Sequence, residues 1–243
     1  MRIFPDCVSC IDETVREVFS RGMIAFDPTV QGIRVEEKEY SAKELIGYTY
    51  SILDGSDKEK LIWWAKQHFP FYDATLEWAE AWFRDRVSGK YLNPEPSVKL
   101  RWNYWKAFAD AFDGRFAYTY PERMCYQLEP LVEKLRGNRY MRGAMLAIWD
   151  PHKDVRSMGV RRVPCSISYH FLIRNEAGVD KMRLIYYIRS QDLVNHFPSD
   201  VYCALRLQEW MAEKVGDCEL GPFISYVDSL HCYRKDVLPD RQW

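Results

Sequence analysis

Apolar positions along the chain repeat in two ways, about every 3.6 residues and every second residue, and the switches between them outline the elements. In residues 12–21, Val15, Val18 and Phe19 share one helical face, and Gly22 marks its end. Residues 75–87 are again helical and rich in Trp, and another helix is expected over residues 126–135. Residues 88–97 contain Gly89, Asn93, Pro94 and Pro96 and read as a loop. Residues 48–53 read as a strand. Residues 145–149 form a short apolar run stopped by Asp150 and Pro151.

The C-terminal part is the most legible. Residues 163–173 and 182–188 are rich in Val, Ile, Tyr and Phe, and the polar stretch 175–180 between them contains Gly178, which predicts a hairpin. Folding it about its middle sets Cys165 roughly opposite Arg189 and Ser190, a thiol beside a cation. Pro198 opens a helix whose face carries Val201, Leu205, Met211 and Val215. A last strand over residues 223–227 leads into Ser229-Leu230-His231-Cys232-Tyr233.

Composition narrows the function. The 243 residues suit one domain, 1–243, and 47% apolar content is enough for a full core. A net charge of −1 and no readable basic stripe argue against a nucleic-acid partner, so a nucleotide substrate is expected to be a free one. The seven cysteines are scattered, and the Cys7/Cys10 pair has no second pair to complete a metal site, so no metal is expected. Arg2, Pro5 and Asp6 break any early apolar run, and no run reaches membrane-spanning length. A cytoplasmic protein with reduced thiols is the expectation (host cytoplasm if phage-encoded), and there a reactive thiolate is chemically available.

A cysteine in a strand is most often a small core residue. Cys165 gains meaning from the order of its neighbours: Pro164-Cys165, then Arg189-Ser190-Gln191-Asp192, then Pro198, then His231-x-Tyr233. In order and spacing this resembles thymidylate synthase, specifically over residues 163–233 and more loosely over 44–149. The resemblance implies an α/β fold (α+β) with a large mixed sheet flanked by helices and a sheet-to-sheet homodimer. It implies Cys165 as the nucleophile at C6 of a pyrimidine nucleoside monophosphate. Arg189 and Ser190 would hold the 5′-phosphate, with Gln191 in the same nucleotide-binding motif. Asp192 would support the ring, and His231 and Tyr233 the sugar. The bland alternatives are a surface pair at a strand end, a turn-forming carboxylate and a satisfied polar pair.

Upstream, Arg142 before Gly143 resembles an arginine that reaches the partner subunit's phosphate, with Arg139 as a companion; the family has two adjacent arginines where this chain has Met141-Arg142. Tyr118 resembles the active-site tyrosine, and Trp149 is the cofactor-side candidate. A catalytic glutamate is expected on the Trp-rich helix, Glu77 first and Glu80 second, although the usual Glu-x-x-Trp spacing is not reproduced.

Counting eight positions on from Asp192, where the family has an asparagine that pairs with uracil, reaches Asp200. An ionised carboxylate only accepts hydrogen bonds, so it suits the cytosine 4-amino group and repels uracil O4. The alternative is a helix N-cap after Pro198. Phage deoxycytidylate hydroxymethylases resemble the chain at this Asp and at Ser-Leu-His-x-Tyr. The reaction so implied is dCMP, 5,10-methylenetetrahydrofolate and water giving 5-hydroxymethyl-dCMP and tetrahydrofolate. Competing readings are a CMP hydroxymethylase, a C5-methylating enzyme on dCMP or dUMP, and a non-catalytic nucleotide-binding homologue. Residues 238–243 depart from the family's closing C-terminal segment, which suggests altered closure.

Overall fold

The computed structural model describes residues 1–109 and 114–237; the closing segment 238–243 lies outside the described residues. Its strands are β1 (Arg2–Phe4), β2 (Met23–Ala25), β3 (Thr29–Val30), β4 (Ile33–Arg34), β5 (Ala42–Ile52), β6 (Met145–Ala147), β7 (Ser166–Glu176), β8 (Val179–Asp192) and β9 (Glu219–Tyr233). Its α-helices are α1 (Cys7–Arg21), α2 (Glu37–Tyr40), α3 (Glu59–His68), α4 (Leu76–Arg86), α5 (Trp102–Trp105), α6 (Tyr120–Met124), α7 (Leu128–Gly137), α8 (Pro151–Ser157) and α9 (Phe197–Val215). Seven strands form one mixed sheet in the order β1-β5-β9-β8-β7-β6, with β2 also pairing β5, while β3 and β4 form a separate small hairpin. The fold is thus α/β, a large mixed sheet flanked by helices.

Strand alternation sorts the sheet's two faces. Met182, Leu184, Tyr186 and Ile188 of β8 are buried on one face with Tyr48, Tyr50, Phe223 and Val227. Against that face lies α9, whose Val201, Leu205, Met211 and Val215 are all buried as their spacing requires. Each such side chain contributes about 1.5–3 kcal/mol relative to exposure. The other face carries half-buried Ile185, Tyr187 and Ile224, with Tyr226 39% exposed and stacked on Tyr187.

The expected hairpin is β7–β8, antiparallel from Glu176↔Val179 to Ser166↔Ile188. The strand expected from residue 163 begins instead at Ser166, because the preceding carbonyls are taken elsewhere. Arg189 N–H bonds Cys165 O at 2.9 Å, and the Arg189 side chain takes Pro164 O at 2.8 Å and Val163 O at 3.3 Å. The strand expected over 223–227 and the His-x-Tyr motif after it are one continuous strand, β9. The first helix starts at Cys7 rather than residue 12, since the Asp6 carboxylate caps it through Ser9 N–H at 2.7 Å. Gly22 closes that helix in an extended conformation, not a left-handed one. The helix expected over 126–135 is α7, preceded by the short α6, whose capping box joins Thr119 and Glu122.

Candidate active site

Residues from seven stretches of sequence meet around a cavity of about 310 Å³ at the C-terminal end of β8 and the N-terminal end of α9. One wall is polar and comes from neighbouring elements. Cys165 stands just before β7, held through its carbonyl by Arg189 N–H. The Arg189 guanidinium, spread over the Val163 and Pro164 carbonyls, braces the turn that presents the thiol. Burial pushes the Cys165 thiol up; Arg189 and Arg162 pull it down, and Asp200 pushes it further up, for a net rise.

Ser190 and Asp192 follow on β8 and line the cavity. Parallel pairing sets Asp192 beside His231 and Ser190 beside Ser229. His231 and Tyr233, two positions apart on β9, share a face and both line the cavity, with ring centres 4.8 Å apart. Asp192 spends its oxygens locally, accepting from Val194 N–H at 3.0 Å and from the Asn195 backbone and side-chain N–H at 2.9 Å each. The turn-forming reading of this carboxylate is therefore realised, at the cavity's edge.

Asp200 resolves its own alternative. The helix begins at Phe197, so Asp200 sits in the first turn with its N–H on His196 O at 2.8 Å and does not cap it. It lines the cavity at 4% exposure, and among the described residues no donor reaches its carboxylate. Burial raises it to about 7, against the pull of Arg86 and Arg162 and with a further push from Asp192. Its carboxyl lines the same cavity as the thiol, with its hydrogen-bonding capacity unspent among the described residues.

The sequence matches the thymidylate synthase family over residues 38–240. The chain belongs to that family. Relatives include proteins named "Putative thymidylate synthase" from Methanosarcina mazei, 35% identical over 127 residues (50% of this chain, 55% of that protein), and from Methanocaldococcus jannaschii, 31% identical over 120 residues (49% and 52%). The chain thus spans about half the length of the curated relatives it matches. Among solved structures, the thermostable thymidylate synthase A from Bacillus subtilis has the same fold, with a TM-score of 0.66 at 16% identity over 92% of this chain and 78% of that one.

Within this thymidylate synthase fold the expected residues divide sharply. Cys165, Arg189, Ser190, Asp192, Asp200, His231, Tyr233 and Tyr118 all line the cavity. Six do not. Glu77 is exposed, and Glu80 is held at 3.1 Å by Arg206 and at 2.8 Å by the Tyr202 hydroxyl, because α4 buries Trp78 and Trp82 and turns its glutamates outward. Gln191 is fully buried between two lining residues, its side chain alternating away from them, with both amide atoms unpartnered. Trp149 lies outside the cavity with its ring 5.9 Å from the Arg189 guanidinium. Arg139 is tied to Asp180 at 2.8 Å and to the Gly216 and Asp217 carbonyls, a brace for two turns. Arg142 is exposed beyond the cavity, its carbonyl bonded to His170 Nε2 at 2.8 Å.

The second wall is aromatic and, apart from Tyr118, was not foreseen. Trp82, Tyr104, Trp105, Phe108, Tyr118 and Tyr120 line it. Arg162 lies over Trp105 at 4.6 Å and Tyr118 at 4.7 Å, with no ion pair among the described residues. His196 bonds the Tyr104 hydroxyl at 2.6 Å and is pushed down to about 3, by burial first, so the imidazole is neutral. Behind Trp82 stands Glu95, 6% exposed, accepting from Trp82 Nε1 at 3.2 Å and raised by burial. Two signals were available: the adjacent Arg161-Arg162 just before Pro164-Cys165, and the i, i+4 spacing of Trp78 and Trp82. Closure by Trp105 and by the β3–β4 turn has no local signature.

Proposed function

We propose that the protein is a pyrimidine nucleotide C5-hydroxymethyltransferase acting on dCMP through attack of Cys165 on C6. The observation that carries this reading is Asp200: an acceptor with no donor among the described residues, buried on the cavity that holds the thiol. A carboxylate there accepts from the cytosine 4-amino group and pairs with N3 once that nitrogen is protonated, while uracil O4 faces it acceptor to acceptor. A polar group left unpaired in a buried site makes the wrong base costly.

In this reading Ser190 and one free edge of Arg189 hold the phosphate. His231 and Tyr233 hold the sugar hydroxyl. The Cys165 thiolate bonds to C6, and the electron pair moves toward C5, with Asp200 steadying the protonated N3. The aromatic wall fits a flat heteroaromatic cosubstrate, with Trp82 and Trp105 lining the cavity that Cys165 also lines. When bound, 5,10-methylenetetrahydrofolate supplies a one-carbon unit at the oxidation level of formaldehyde. After C5 has taken that carbon, lost its proton and released tetrahydrofolate with the electron pair of the broken carbon–nitrogen bond, water adds to the exocyclic methylene of the pyrimidine. Cys165 then leaves C6, and the ring regains its double bond. Tyr104 and His196 are the neutral hydrogen-bonding groups of the aromatic wall that can orient such a water, and Glu95 is the buried acid next to it. The half-buried outer face of the sheet, with stacked Tyr187 and Tyr226, supports a sheet-to-sheet homodimer, in which exposed Arg142 is free to reach a partner's cavity.

The test is one assay matrix of dCMP, CMP and dUMP, each with methylenetetrahydrofolate, products resolved by mass. The expected product is 5-hydroxymethyl-dCMP, and Asp200→Asn is expected to gain activity on dUMP. A methyl product, or wild-type preference for dUMP, overturns the reading.

A further inference from the structure

The tip of the β3–β4 hairpin reaches across the cavity to the nucleophile. Gln31 Nε2 lies 3.3 Å from Cys165 Sγ, within hydrogen-bond range of a large, polarisable acceptor. The other end of the same amide, Oε1, is buried and has no partner among the described residues. An amide with one end on a sulfur and the other unspent is unusual in a merely structural turn, since a buried carbonyl without a donor is costly to keep. The backbone is strained as well. Gln31 has φ +53 and Gly32 φ +82, both left-handed. Gly32 packs so closely that an added Cβ would stand 2.9 Å from the Arg161 backbone. The turn is therefore pinned on the segment leading to Cys165, and its position relative to the sulfur is fixed from both sides.

We propose that Gln31 is a catalytic residue: its side-chain N–H donates to the Cys165 thiolate, and its carbonyl accepts a hydrogen bond from a donor on the bound nucleotide. The inference rests on Cys165 being the nucleophile, and it adds to Arg189 a neutral donor aimed at the sulfur itself. The two act differently. Arg189 is committed to the Val163 and Pro164 carbonyls, whereas the amide points at the reacting atom. Loss of one charge-assisted hydrogen bond to the sulfur lowers the thiolate population at neutral pH roughly tenfold, which is about 1.4 kcal/mol.

The test is the pH dependence of Cys165 alkylation by iodoacetamide in the full chain, followed by peptide mass mapping so that the other cysteines are read separately. Gln31→Leu is expected to slow Cys165 alkylation roughly tenfold at pH 7 and to move the profile to higher pH, with the alkaline plateau retained. Gln31→Gly relieves the left-handed strain and opens the cavity yet removes the donor, so it is expected to slow alkylation similarly while melting no lower than wild type. Gln31→Glu, which offers only acceptors when ionised, is expected to slow it more. Alkylation of the Gly and Leu variants at wild-type rate or faster at pH 7 overturns the proposal and leaves Gln31 as a mere cover. No nucleotide enters this experiment, so its outcome is separate from that of the dCMP assay. In turnover with dCMP, the carbonyl's role predicts a higher KM for Gln31→Leu alongside a lower kcat; an unchanged KM removes that half of the proposal.

Discussion

The polar and aromatic walls of the cavity are built in opposite ways. The polar wall comes from the segment leading into β7, from β8, β9 and the start of α9, and its groups are positioned by strand register: Cys165 against Arg189, Ser190 against Ser229, Asp192 against His231. The Arg189 and Asp192 side chains are tied to the backbone by hydrogen bonds. The aromatic wall draws on α4, α5, the segment after Gly114 and the Arg161-Arg162 stretch, and it holds together by ring contacts such as Trp82 to Trp105 at 6.0 Å and Trp105 to Phe108 at 6.0 Å. The proposed covalent step needs its nucleophile held to fractions of an ångström, which sheet register can supply. Stacking tolerates more play, so rings from distant segments suffice for holding a flat cosubstrate.

This contrast makes graded predictions. Cys165→Ser is expected to lower kcat by roughly 10³-fold or more with nucleotide binding retained, measured by single-turnover product formation and by calorimetry. Arg189→Met removes the brace from the Val163 and Pro164 carbonyls and a cation from the thiol; kcat/KM is expected to fall roughly 10²-fold, with a steeper alkaline dependence of the rate. On the other wall, Trp105→Ala is expected to raise the KM for the folate cosubstrate roughly tenfold, with kcat changed far less. Equal losses of kcat from the Trp105 and Arg189 variants would erase the distinction between the walls.

The smallest effect concerns stability. Folding raises Asp200 to about 7, while the unfolded chain releases this proton at about 3.9. Between those values the folded state binds more protons, so its stability falls as pH rises through the window, at up to about 1.4 kcal/mol per pH unit. Asp200→Asn is expected to flatten that slope in urea titrations from pH 4 to 8; an unaltered slope would show the carboxyl to be solvated in the fold.

What the sequence reveals follows the same division. The hairpin, α9 and the ordered motifs were legible because register and spacing are local consequences of side-chain alternation. The start of β7 at Ser166 was not, since Arg189 takes the carbonyls that a longer strand would have used. Glu77 and Glu80 looked inward only while the Trp residues of α4 had no assigned partners; once Trp78 and Trp82 are buried, helical geometry turns both glutamates away. Gln31, 134 residues from Cys165 along the chain, meets it through tertiary packing, and no period or motif announces the contact. Asp200 is intermediate: its place in the helix was readable, but its lack of a partner depends on the fold.

The most direct measurement is covalent trapping. The protein is incubated with methylenetetrahydrofolate and either 5-fluoro-dCMP or 5-fluoro-dUMP, whose C5 fluorine cannot leave as the proton does, and the adduct is mapped by mass. The account predicts a nucleotide on the peptide that carries Cys165, formed with the fluorocytosine compound and not with the fluorouracil one, and the reverse preference in Asp200→Asn. An adduct with the fluorouracil nucleotide alone, or none at Cys165 with either compound, would contradict it.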